Sequence, residues 1–141
     1  MKVSDILQTK GVNIFSITSH ASVYDALKIM GEKNIGALPV IDDGQLVGIV
    51  SERDYARKVI LKGKSSRDTL IKEIMTEKPI TVSADDKIET CMGLMSEKHI
   101  RHLPVLKDDV VTGMISIGDV VTTIIKMQKE TITHLQNYIS Q

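Results

Sequence analysis

The sequence predicts a mixed α/β (α+β) chain made of two copies of one small unit. Each copy runs strand, helix, strand, strand, helix, and a helical extension follows the second. Three observations predict this. Two sequence blocks return in the same order at one fixed spacing. Apolar residues switch between helical and strand periodicity at matching places in both copies. Each copy is marginal alone, because a unit of roughly 60 residues buries only about 60% of its unfolded surface, so two copies are expected to share one core.

The repeat is direct. Asn34-Ile35-Gly36-Ala37-Leu38-Pro39-Val40 returns as His99-Ile100-Arg101-His102-Leu103-Pro104-Val105. Gly48-Ile49-Val50-Ser51-Glu52-Arg53-Asp54 returns as Gly113-Met114-Ile115-Ser116-Ile117-Gly118-Asp119, with the same offset and no gap between the blocks. Met30, Glu32 and Lys33 recur as Met95, Glu97 and Lys98. Upstream the register slips. Val3-Ser4-Asp5-Ile6-Leu7 resembles Ile71-Lys72-Glu73-Ile74-Met75 at a longer offset, which places an insertion of about three residues between Gln8 and Ile14.

Within each copy the elements follow in order. Short apolar segments, Ile14 to Thr18 and Ile80 to Ser83, read as first strands. Val23, Ala26, Leu27 and Met30, matched by Ile88, Cys91, Met92 and Met95, give the i, i+3, i+4, i+7 spacing of a helix with one buried face. Strands follow at Ala37 to Ile41 and His102 to Leu106, and return strands at Leu46 to Val50 and Val111 to Ile115. Asp42-Asp43-Gly44-Gln45 between the first pair is strong turn chemistry, and Lys107-Asp108-Asp109 is a weaker version. Second helices begin near Ser51 and Ser116. The expected organisation is residues 1–63 for the first copy, 64–70 for a polar linker, 71–125 for the second copy and 126–141 for a helical tail. Gly63 suits the end of a helix. Val120, Ile124, Met127, Ile132, Leu135 and Ile139 mark a long helix with an apolar stripe, with Thr131 as the place where it could break. A stripe that outruns its own domain needs a partner surface, so a homodimer is expected.

Composition narrows the function. The 141 residues carry 18 Lys and Arg against 18 Asp and Glu, a net charge of zero, which argues against a protein that coats nucleic acid. Aromatic residues make up 3% with no tryptophan, which weakens any base-stacking role. Apolar residues make up 42%, as in an ordinary globular chain. No apolar run approaches the roughly 20 residues of a membrane span. Asp5 comes too early for a signal peptide. The single cysteine, Cys91, forms neither an internal disulfide nor a multi-cysteine metal site, so a reducing, cytoplasmic location is expected.

The most informative segment is Gly-apolar-apolar-Ser-x-x-Asp, present twice where a strand meets a helix. Unpaired N–H groups at a helix start favour an anion. Ser51 and Ser116 can donate to a phosphate oxygen. Gly48 and Gly113 clear space for backbone to approach a ligand. Asp54 and Asp119 cannot hold a phosphate but suit the two hydroxyls of a ribose. The same Ser-x-x-Asp pattern also serves as a capping box, and duplication copies caps as well as sites. Both readings stand at this point.

Together the lead-in segments, the Leu-Pro-Val strands and the two Gly-x-x-Ser-x-x-Asp segments resemble a pair of CBS domains, from Val3 to about Ile125. The resemblance implies one module with two clefts related by pseudo-symmetry, often dimeric, that binds adenosine derivatives and regulates an attached or partner protein. AMP is the first expectation, with ADP, ATP, NAD(H) and S-adenosylmethionine as alternatives. Carried over by residue, it places Asp54 on one ribose with Ser51 near its phosphate, and Asp119 with Ser116 in the other cleft. Arg53, Arg101 and His102 become phosphate candidates, whereas the first copy has Gly36 and Ala37 before its Leu-Pro. Adenine would lie against apolar side chains and meet backbone groups near Ile14 to Thr18 and Ile80 to Val82, with Ile17, Thr18, Thr81 and Val82 as the named candidates. Ile117-Gly118 replaces Glu52-Arg53, so the clefts are not equivalent.

The remaining residues have plainer readings. His20, His99, His102 and His134 lack zinc-site spacing, and no metal is expected. For His102, strand packing competes with phosphate contact, and Arg53 has a helix-surface ion pair as its alternative. Cys91, Met30, Met75, Met92 and Met95 read as core, and Lys58, Lys62 and Lys64 as solvated charges. No nucleophile–base pair supports an enzyme. The alternatives to a sensor are a structural dimerisation module and, with less support, a nucleotide hydrolase.

Overall fold

The computed structural model describes residues 1–11 and 13–140. Val12, inside the insertion, and Gln141, at the end of the tail, lie outside the described residues. Helix α1 (Val3–Lys10) leads into α2 (Val23–Lys33), strands β1 (Ala37–Asp42) and β2 (Gln45–Ser51), and α3 (Glu52–Lys58). The second copy has α4 (Ile71–Ile74), β3 (Thr76–Glu77), α5 (Ile88–Lys98), β4 (His102–Lys107), β5 (Val110–Ser116) and α6 (Ile117–Ser140).

Both hairpins form in the expected register. Leu38 faces Val50 across β1 and β2, and Leu103 faces Ile115 across β4 and β5. Each pair carries a bulge at the same place, after Val40 and after Val105. Asp43 and Gly44 take φ of 50° and 77°, and Asp108 and Asp109 take 51° and 63°. Positive φ at both central positions matches the twist of a two-residue hairpin, and Asp tolerates it better than most side chains. β3 adds to β2, giving the order β1-β2-β3 beside a separate β4-β5 pair.

The expected first strands shrink to single parallel bridges, Ile17 to Val40 and Val82 to Val105. The cause is proline. Ile17 N–H donates to the Pro39 carbonyl and Ile41 N–H to the Ile17 carbonyl. One step back, the parallel ladder would need an N–H from Pro39, which has none; Pro104 stops the second copy in the same way. The long C-terminal helix is also unbroken. Thr131 Oγ1 donates back to the Met127 carbonyl at 3.0 Å, so the hydroxyl is satisfied within the helix. Among the described residues no helix is long and apolar enough to cross a membrane.

The two cores exchange their lead-in helices. Val3 and Ile6 of α1 are buried among Val82, Ile88, Leu103, Ile115 and Val120 of the second copy. Ile71 and Ile74 of α4 are buried among Val23, Leu38, Val40, Val50 and Val59 of the first. Matching backbone bonds hold each helix in place: Val3 N–H to the Asp86 carbonyl and Ile71 N–H to the Ala21 carbonyl, both 2.9 Å. Each marginal unit is completed by a piece of its twin, which is the physical reason the pair folds as one body.

This exchange changes the role of the repeated glycines. A Cβ on Gly48 would sit 2.7 Å from Met75 Sδ and 2.9 Å from the Thr76 carbonyl oxygen. One on Gly113 would sit 2.6 Å from Leu7 Cδ2. The missing side chains therefore admit the exchanged segments, and of the two glycines only Gly113 also lines the candidate cavity. Gly48→Ala meets backbone and should destabilise by about 1–3 kcal/mol. Gly113→Ala meets only the tip of Leu7, which can swing, and should cost less. Urea denaturation of the two variants checks the order.

Several smaller expectations resolve as follows. Gly63 ends a short 3-10 turn, Ile60–Lys62, with φ of 70°. Met30, Met95 and Cys91 are buried and Met75 half-buried, but Met92 is exposed because it lies at the edge of the α5 apolar face. Burial pushes the Cys91 thiol up, with Asp86 adding to the effect, which keeps it inert. Lys58 is tied rather than free: its Nζ donates to the Ile74 carbonyl at 2.8 Å.

Candidate functional site

The second Ser-x-x-Asp segment opens onto a cavity of about 520 Å3. Asp119 and Ser116 stand at the join of β5 and α6, His102 at the start of β4, and Lys10 at the end of the exchanged helix α1. Ile14, Phe15, Ile35, Pro39 and Met114 supply an apolar wall. The volume lies within the range of about 300–1,000 Å3 common for small-ligand sites. A second hollow of about 320 Å3 shares Lys10, Ser116 and Asp119 with the first and continues to Thr122, Thr123 and Lys126. The Lys10–Asp119 pair thus forms part of the wall of both.

Both copies build the capping box, yet they use it differently. Ser116 N–H donates to Asp119 Oδ2 at 2.8 Å, and Asp119 N–H to Ser116 Oγ at 3.1 Å. Lys10 Nζ also reaches Asp119 Oδ2 at 2.8 Å and the Met114 carbonyl at 2.9 Å. Asp119 Oδ1 has no hydrogen-bond partner among the described residues, while the Ser116 side chain also supports the ionised carboxylate. In the first copy the group is spent. Asp54 Oδ2 accepts from Ser51 N–H at 2.9 Å and from Ser51 Oγ at 3.1 Å, while Oδ1 pairs with Lys58 Nζ at 3.1 Å. Capping and ligand contact are therefore compatible at Asp119, where one oxygen does the capping. At Asp54 both oxygens are engaged.

The charges in the cavity are settled by its surroundings. Burial opposes ionisation of Asp119, but the Lys10 and Ser116 hydrogen bonds and the Lys10 charge outweigh it and hold the carboxyl below its usual range. His102 is pushed down, first by burial, then by the Lys10 charge, with Asp119 opposing and Arg101 adding to the drop. It is a neutral hydrogen-bonding group at pH 7 rather than a cation. Folding thus favours neutral His102, while the unfolded chain takes up a proton below its ordinary pKa of 6.5. Its stabilising contribution is full above pH 6.5 and is lost as pH falls through the lower folded value. His102→Gln should flatten that part of the curve of urea midpoint against pH.

The other sequence candidates fall elsewhere. Arg53 and Arg101 are exposed and outside the cavity lining, although the Arg101 carbonyl anchors α6 by accepting from Ile117 N–H at 2.8 Å. Ser51 and Asp54 also lie outside it. Ile17 and Val82 use both backbone groups in their parallel bridges, which leaves none for an adenine edge. Thr18 and Thr81 flank those bridges, also outside the lining; of the expected Ile14 to Thr18 segment, Ile14 and Phe15 line the cavity. Lys33 Nζ lies 5.0 Å from the centre of the Phe15 ring and steadies it. Sequence reading missed Lys10, Asn13 and Asn34. The signal for the first two was the insertion itself, because extra chain in one copy only is where symmetry can be broken.

A sequence profile described as the CBS domain matches residues 3–61 and 71–126, most of the chain and both copies. The chain belongs to the CBS-domain family. This CBS pair is 42% identical to the CBS domain-containing protein CBSX3, mitochondrial, of Arabidopsis thaliana, over 97% of this chain and 71% of that one. A putative signal-transduction protein with CBS domains from Burkholderia ambifaria MC40-6 superposes with a TM-score of 0.86 at 46% identity, covering 89% of this chain and 95% of that one. The CBS domain pair of protein MJ0100, solved in complex with 5-methylthioadenosine and S-adenosyl-L-methionine, superposes with a TM-score of 0.79 at 32% identity, over 88% of this chain and 99% of that one.

Proposed function

We propose that this CBS pair is a regulatory module that binds an adenine nucleotide, AMP first, in the cavity at the head of α6. The observation that carries the reading is the uncommitted Asp119 Oδ1 beside Ser116 and the Lys10 ammonium, in one hollow with an apolar wall. The carboxylate oxygen accepts from ribose hydroxyls. Lys10 and Ser116 donate to phosphate. Ile14, Phe15 and Pro39 take the purine. The MJ0100 complex supports an adenosine-bearing ligand in a CBS pair, and ADP, ATP, NAD(H) and S-adenosylmethionine stay on the panel. One occupied cleft per chain is expected, since Asp54 is tied by Ser51 and Lys58.

Regulation follows from differential affinity: a ligand that prefers one arrangement of the module shifts the population toward it, and a partner protein reads the change. We read the chain as a binding module rather than a catalyst, as two copies associated in a homodimer, and as resident in a reducing compartment such as the cytoplasm. The relative named as mitochondrial keeps that location open to test by tagged localisation. The Asp54 arrangement favours a second reading, a structural module with one vestigial cleft.

A thermal-shift panel separates these readings. AMP and related nucleotides should raise the melting temperature, and ATP should be recovered intact after incubation. No shift with any adenosine compound supports the structural module; ATP converted to ADP supports a hydrolase. Lys10→Met should weaken AMP about tenfold yet leave 5-methylthioadenosine, which has no phosphate, nearly unchanged.

A further inference from the structure

We infer that the free half of α6 is one strand of a parallel, in-register, two-stranded coiled coil formed with a second copy of this chain. The inference rests on the homodimer reading above and adds to it the surface, direction and register.

The family match ends at residue 126, whereas α6 continues unbroken to Ser140, and every residue from Gln128 to Ser140 is exposed. The 24-residue helix is about 36 Å long, so its distal half projects from the module. Its exposed apolar residues, Tyr138 apart, do not scatter. Val121, Ile125, Ile132, Leu135 and Ile139 are all large and solvent-facing. With Gln128 they follow the alternating four-and-three spacing of a heptad seam. Ile125, Ile132 and Ile139 fall at a positions, and Val121, Gln128 and Leu135 at d positions. Isoleucine at every a position favours two parallel strands where leucine fills d, as Leu135 does; Val121 and Gln128 occupy the other two d positions. The seam begins on the module itself. Val120 is buried in the core of the second copy, and Val121 lies one residue step, about 100°, further round the helix.

Direction and register follow from the polar residues. In the parallel arrangement each Gln128 meets its own counterpart, so the two amides can hydrogen-bond to each other. The flanking e and g positions then bring Ile124 to Lys129 and Thr131 to Gln136, with no like charges opposed. The fully overlapped antiparallel arrangement sets Gln128 against Ile132 and brings the two Lys129 ammonium groups together near the centre. It strands an amide and opposes two cations.

A parallel coil places both modules at the same end. It also starts beside the candidate cavity, because Asp119 stands in the first turn of the helix that supplies the seam. One rigid element therefore joins the two sites within each chain.

Cysteine cross-linking and sedimentation test the inference on the full chain. Cys91 is buried and inert, so Gln128→Cys introduces one accessible thiol. The wild type should sediment as a dimer, and Gln128→Cys should form an interchain disulfide under mild oxidation. Leu135→Asp should raise the dimer dissociation constant at least about 100-fold. Leu135 is exposed in the free chain, so the hairpins should keep their melting temperature in the dissociated variant. A monomeric wild type overturns both the dimer and the coil. A wild-type dimer in which Leu135→Asp stays dimeric and Gln128→Cys fails to cross-link keeps the dimer and overturns the coil. Cross-linking only when Gln128→Cys chains are mixed with Ile132→Cys chains overturns the parallel direction.

Discussion

Asp119→Ala is expected to weaken nucleotide binding by about 10- to 150-fold, the equivalent of about 1.5–3 kcal/mol for hydrogen bonds to a charged group. The carboxylate has two oxygens with separate duties. Oδ2 caps α6 and holds Lys10, while Oδ1 has no partner among the described residues. Alanine removes both duties, so part of the loss would come from a loosened Lys10. Asp119→Asn separates them, because one amide oxygen can still accept from Ser116 N–H while the charge is gone. Calorimetry should find a similar loss in both variants and unchanged affinity in Asp54→Ala, whose carboxylate is fully used by Ser51 and Lys58. Equal losses at Asp54 and Asp119 would mean that the two clefts are equivalent after all.

Ile71→Ala is expected to cost about 2–5 kcal/mol of folding stability, the usual range for truncating a buried isoleucine. Ile71 has no exposed surface and packs among Val23, Leu38, Val50 and Val59. By sequence it opens the second copy; by packing it closes the core of the first. A loss of this size is a large share of a small domain's stability. Because α1 and α4 cross between the two cores, both hairpins should melt together in one urea transition. Two separated transitions, with the second hairpin unaffected by the substitution, would show that the exchange does not couple the cores.

The contrast between what was legible and what was not has a physical basis. Duplicated blocks, the hairpin turns and the caps are local patterns, and each appears where its residues predict: Asp43-Gly44 in the turn, Ser51 and Ser116 at their helix starts, Gly63 ending its short turn. The exchange of α1 and α4 is a long-range packing choice, and an apolar lead-in segment reads the same whichever core it enters. The glycines misled for the same reason. Gly48 and Gly113 do mark a close approach, but what approaches is the exchanged lead-in segment, Met75 and Thr76 at Gly48 and Leu7 at Gly113. Lys10 was invisible because it lies where the copies do not align, and a residue with no counterpart cannot be found by comparing repeats. Asp119 was legible as a candidate, but its free oxygen was not, since the sequence has the same Ser-x-x-Asp in both copies and only the cation beside each tells them apart.

The most direct test is a co-crystal structure grown with AMP. The account predicts one nucleotide per chain at the head of α6, with the ribose hydroxyls within about 2.6–3.2 Å of the Asp119 carboxylate and Lys10 turned toward the phosphate. A nucleotide bound instead beside Asp54, with the Lys10–Asp119 pair untouched, would contradict it.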